Sequence, residues 1–102
     1  MAAKLKPIHP GEILLEDVMR PLGLNPNSLA IALRVPTPGI YEIVKGARSI
    51  SPDMAMRLSL YLGMSAEFWL NLQTRYDLET ARDKTLSKLK REVRPRAALA
   101  GA

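Results

Sequence analysis

The sequence predicts an all-α fold: five helices, the second and third joined as a helix-turn-helix, then a basic C-terminal extension. Three observations predict it. Apolar residues recur at i, i+3 and i+4 along the chain, the spacing of one helix face. Asn25-Pro26, Ser51-Pro52 and Ser65 stand where helices would start, as N-caps with proline tolerated at the first helical position. Gly23, Gly46 and Gly63 stand where they would stop.

Each element follows in order. Residues 1–11 form an entry arm, because Pro7, Pro10 and Gly11 argue against helix. His9, the chain's single histidine, reads as a packing or capping residue, since one histidine without cysteine or a neighbouring acid is a poor metal site. Helix one is expected from Pro10 or Glu12 to Arg20, with Leu14, Leu15, Val18 and Met19 on one face and Pro21 and Gly23 as its stop. Helix two opens at Asn25-Pro26 and turns Leu29, Ala30 and Leu33 inward; the small Ala30 allows a close helix crossing. Arg34-Val35-Pro36 is the turn, because Pro36 ends helix two and biases Val35 toward extended geometry. Helix three spans Thr37 to Lys45, burying Ile40, Ile43 and Val44 and leaving Thr37, Gly39, Tyr41, Glu42 and Lys45 outside.

Helix four starts at Ser51-Pro52-Asp53, with Met54, Ala55, Leu58 and Leu62 inward. Helix five starts after Ser65. Its stripe of Phe68, Trp69, Leu72 and Tyr76 is too aromatic for an ordinary exposed face and reads as core, dimer interface or both. TLSKLKREV extends it until Pro95, and the final AALAGA is expected to fray.

Composition bounds the function. The chain has 102 residues, enough for one compact domain. The absence of cysteine excludes disulfides, thiolate metal sites and cysteine nucleophiles. No apolar run approaches the roughly 20 residues of a membrane span, and the N-terminus has no apolar signal region; a cytoplasmic location is expected. No acid pair, metal cluster, nucleophile–base pattern or glycine-rich phosphate loop is visible. No catalytic residue, metal, cofactor or small-molecule substrate is therefore expected. Charge divides the chain: Lys84, Lys88, Lys90, Arg91, Arg94 and Arg96 face one acid, Glu92, whereas residues 1–83 balance nine bases against nine acids. We therefore divide the chain into a neutral helix-turn-helix domain, 1–83, and a basic extension, 84–102, that either binds phosphates or is simply a solvated end.

A helix-turn-helix of this form can lay its second helix in the DNA major groove. Asn27 and Ser28 sit in the first turn of helix two, where free N–H groups and the helix dipole can receive a phosphate oxygen; a solvated polar turn is the other reading.

The arrangement resembles the phage-repressor-like (Xre) fold. HPGEILLEDVMRPLGL (9–24), VPTPGIYEIVKGARSIS (35–51) and MRLSLYLGMSAEFWLNLQTRYDL (56–78) are similar to HigA-type antitoxins, also called plasmid-maintenance antidote proteins. The resemblance covers residues 9 to about 82 and implies a bacterial cytoplasmic homodimer. It further implies binding to a palindromic double-stranded operator, repression of its own toxin–antitoxin operon, and neutralisation of a HigB-type toxin, a ribosome-dependent ribonuclease. By fold position Thr37, Pro38, Tyr41, Glu42 and Lys45 sit where the recognition helix meets bases, and Arg48 and the start of helix two (Asn27, Ser28) sit where phosphates pass; Arg34 and Gly39 are further DNA-binding candidates. Phe68, Trp69, Leu72 and Tyr76 are the candidate dimer interface. The chain departs from the family at Gly39, where arginine is common; arginine is the usual bidentate reader of guanine. Two readings therefore stand: a DNA-binding autorepressor, or a toxin-neutralising interaction module or stand-alone regulator whose DNA binding is weak or altered.

Overall fold

The computed structural model describes residues 6–97. The expectations for residues 1–5 and 98–102 lie outside the described residues.

Helix α1 is one continuous rod over residues 10–22. It begins as an α-helix at Pro10–Ile13, widens to a π-helix over Leu14–Met19 and closes as an α-helical turn at Arg20–Leu22. It thus runs past Pro21, which we expected to stop it. A proline in a last turn ordinarily clashes with the carbonyl four residues earlier. Here the wide register precedes it: the Arg20 N–H donates to Leu15 O and the Leu24 N–H to Met19 O, both five residues back. The helix also starts before Gly11, so Pro10 and Gly11 open it rather than delay it. Helices α2 (Pro26–Leu33), α3 (Thr37–Val44), α4 (Pro52–Leu62) and α5 (Ala66–Glu92) follow. Their caps are the expected ones: Asn25 Oδ1, Ser51 Oγ and Ser65 Oγ accept from the first-turn N–H groups of Ser28, Met54 and Phe68.

Packing gathers these helices around one core. Helix α1 lies against α3 and α5, α2 against α3 and α4, and α4 against α5. The core comprises Leu14 and Met19 of α1, Leu29, Ala30 and Leu33 of α2, Ile40 and Ile43 of α3, Ile50, and Ala55, Leu58 and Trp69 of the last two helices. Trp69 is wholly buried, a contribution of about 5 kcal/mol at ordinary transfer values. Its Nε1 has no hydrogen-bond partner, and that penalty of about 1–3 kcal/mol is smaller. Trp69 is therefore a core residue, not the dimer-interface residue that the aromatic stripe suggested. Phe68 remains exposed at its edge, and Leu72 and Tyr76 are half-buried.

Helix α5 is unlike the others. Its 27 residues bury only Trp69 and Gln73, both in its first third. At 1.5 Å per residue it is about 40 Å long, so its basic end projects from the bundle. The radius of gyration, 17.4 Å, accordingly exceeds the roughly 13 Å of a compact domain this size. The expected boundary at residue 83 falls inside this helix. Among the described residues no helix is long and apolar enough to cross a membrane.

Candidate nucleic-acid interface

The site is built from a frame and two connections. The frame is the α2–α3 pair. Asn25 and Ser28 form a reciprocal capping box: Asn25 Oδ1 accepts from the Ser28 N–H at 2.8 Å, and Ser28 Oγ accepts from the Asn25 N–H at 3.0 Å. Of the two first-turn residues proposed to meet phosphate, Ser28 is thus engaged in its own cap. Asn27 instead accepts a hydrogen bond from Thr37 Oγ1 at 3.2 Å. Two residues ten apart in sequence, both candidates for contact with DNA, are brought together where the two helices start.

The connection before α3 is tight. Arg34 takes the left-handed conformation (φ 59°), alone among the described non-glycine residues. This costs a residue with a Cβ about 1–2 kcal/mol. The turn repays it by closing the end of α2: the Val35 N–H donates to Ala30 O and the Arg34 N–H to Ile31 O. The Leu33 carbonyl, a further helix-end acceptor, takes Arg57 Nη1 at 2.8 Å, and Arg57 is held in turn by Asp53. Pro36, in extended geometry, leads into α3 with no side-chain cap.

On α3 the apolar face is as expected, with Ile40 and Ile43 buried. Pro38, Tyr41, Glu42 and Lys45 are exposed. Gly39 is a correction: it is buried, not outside. The cover is Arg48, whose Nη1 lies 3.3 Å from where a Cβ on Gly39 would stand. Arg48 Nη2 meets Glu42 Oε1 at 2.7 Å. The guanidinium thus lies along the Gly39–Glu42 ridge of α3.

The connection after α3 is braced from three directions. Gly46 sits at φ 80° and packs under the His9 ring. His9 accepts the Gly11 N–H on Nδ1 at 2.9 Å, capping α1, and is hydrogen-bonded to the Arg48 backbone. Its ring also meets Tyr76 edge-on at 4.8 Å. Burial lowers its pKa, opposed by the charge of Asp77 and by the Arg48 backbone, so the neutral imidazole is the form the site favours. From the other side, buried Gln73 accepts the Ile50 N–H at 2.8 Å and donates to Asp77 at 2.9 Å.

Sequence reasoning missed Gly11 and Gln73. A Cβ on Gly11 would stand 1.7 Å from the Ile43 carbonyl oxygen; only glycine lets α1 abut the end of α3. The available signal for Gln73 was its place four residues after Trp69, a polar residue at a core position.

No family model matches the chain. Virulence-associated protein I of Dichelobacter nodosus is 51% identical over 74 residues, 72% of this chain and 68% of that protein. The Pseudomonas aeruginosa antitoxin HigA, solved with the higBA promoter, is 44% identical with a TM-score of 0.86, covering 87% of this chain and 97% of that one. An addiction-module antidote protein of a HigA family from Coxiella burnetii is 44% identical with a TM-score of 0.85, covering 90% and 100%. Identity at this level over nearly whole chains, with the same five-helix frame, places the protein: it belongs to the HigA family of helix-turn-helix antitoxins.

Proposed function

We propose that the protein is a DNA-binding antitoxin that represses its own operon. In this reading it binds a palindromic operator as a homodimer through the outer face of α3 and neutralises a HigB-type toxin in the cytoplasm. The observation that carries the reading is the α3 face itself, with Thr37, Tyr41, Glu42 and Lys45 on one helix and Arg48 laid along it, in a chain whose relative was solved on a promoter. Phosphate contact falls to Asn27, Ser28 and Arg34 at the edges of that helix. Two copies double the contacts of one helix-turn-helix over half-sites about one helical turn apart. Phe68, Leu72 and Tyr76 supply the contact between copies. Residues 1–83 act as the DNA-binding unit, and the basic residues from 84 onward add charge.

A mobility shift on the DNA upstream of the protein's own gene, across a salt series, tests this. A shift that weakens with salt supports the reading, and no shift at low salt sinks it. Loss of the salt dependence on removing residues 84–102 would assign the affinity to the extension. Co-expression with the adjacent reading frame tests the antitoxin part: the two should co-purify and growth should be rescued.

A further inference from the structure

From the way Arg48 lies on α3 we infer that it is a base-reading residue, and that Gly39, Arg48 and Glu42 together read one G·C pair in each half-site. The inference rests on the proposal that α3 enters the major groove.

Three observations carry it. First, Gly39 leaves a notch on the recognition helix, and the Arg48 guanidinium fills it, 3.3 Å from the missing Cβ position. A side chain from the following loop thus stands where a residue of the helix would stand. Second, the guanidinium is oriented. Nη2 is fixed on Glu42 Oε1 at 2.7 Å, engaging one of five N–H donors. The side chain is still 57% exposed, so the rest of the fork is open to a ligand. Third, the loop that presents it is braced rather than free, by His9 on the Arg48 backbone, by Gly46 under the His9 ring and by Gln73 on the Ile50 N–H.

The pairing decides between base and phosphate. A guanidinium already neutralised by a carboxylate gains little from a phosphate, and the carboxylate itself is repelled by one. The same pair suits the major-groove edge of G·C: the guanidinium donates to guanine O6 and N7, and a carboxylate oxygen accepts from the cytosine N4 amino group. Glu42 is thereby a second reader rather than an obstacle to binding.

The test selects duplexes from a random library with the full-length protein and with Arg48→Lys, Glu42→Gln and Gly39→Ala. Affinities for the wild-type site and for a scrambled duplex are then measured at several salt concentrations. Arg48→Lys keeps the charge and removes the fork. It should relax one G·C pair per half-site and weaken the selected site by tenfold or more, about the range for loss of one bidentate base contact. Binding to scrambled DNA and the salt slope should stay as they were. Gly39→Ala keeps both charges and favours the helix; its Cβ presses on the guanidinium, and a shift of that fork should weaken discrimination at the same base pair, by less than Arg48→Lys. Glu42→Gln should relax it too. If the Arg48→Lys protein selects the wild-type site unchanged, or if it weakens the selected and the scrambled duplex equally, Arg48 is a phosphate contact and the inference falls. If the wild-type protein itself enriches no site, the DNA-binding reading falls and takes the inference with it.

Discussion

The two connections that flank α3 solve the same problem differently. Each must reverse the chain at a helix end, and each carries a left-handed residue and an arginine. Before α3 the left-handed residue is Arg34 itself, exposed at the turn. After α3 the two roles are split: Gly46 takes the left-handed geometry, and Arg48, two residues on, is free to lie along the helix. The first connection is closed mainly by its own backbone and by Arg57. The second is tied to the entry arm through His9 and to α5 through Gln73. The exposed face of α3 is therefore made by the helix together with a side chain from the loop that follows it.

The largest expected effect breaks the seat of α1 against the end of α3. Gly11→Ala drives a Cβ into the Ile43 carbonyl and should cost about 3 kcal/mol, read as a lower urea midpoint with unchanged slope. Gln73→Leu should come next and should act on the second connection only. It strips the acceptor from the Ile50 N–H and should cost about 2 kcal/mol. Operator affinity should fall further than global stability explains, because the Arg48 loop is loosened. Equal operator affinity in the folded variant would mean that the brace is irrelevant to binding.

Arg34→Gly sharpens the contrast by going the other way. It relieves the left-handed strain at the first connection and should stabilise the fold by about 0.5–1 kcal/mol, net of glycine's backbone entropy. A thermal midpoint that fails to rise would show that the Arg34 side chain contributes packing the turn needs. The smallest effect is pH-dependent and belongs to the second connection. His9 has a lowered pKa in the fold, so the unfolded chain takes up the proton first as pH falls. Its contribution is complete above the ordinary imidazole value of about 6.5 and is lost as pH falls below that toward the folded value. His9→Asn keeps a capping oxygen and should flatten the stability profile between neutral and mildly acidic pH.

Much of the frame was legible because it is written locally. Asn25, Ser51 and Ser65 announce helix starts within three residues, and the apolar stripes of α1 to α4 need only a helical period to be read. What escaped detection depends on residues far apart in the chain. Nothing near Gly39 shows that Arg48 covers it, and nothing near Ile50 shows that Gln73, 23 residues away, accepts its N–H. Trp69 was legible as apolar and aromatic, but its assignment to the core rather than to an interface depended on how α5 packs against α4. The π-helical stretch in α1 was not read because Leu14 and, four and five residues on, Val18 and Met19 all stay buried and still look like one helical stripe.

In the proposed complex α3, with Arg48 laid along it, faces the major groove. Dimethyl sulfate protection of the upstream DNA tests it most directly, because the reagent methylates guanine N7 in that groove. Two clusters of protected guanines about one helical turn apart are expected, with one guanine in each cluster losing protection in the Arg48→Lys protein. Binding that leaves every guanine N7 as reactive as in free DNA would contradict it.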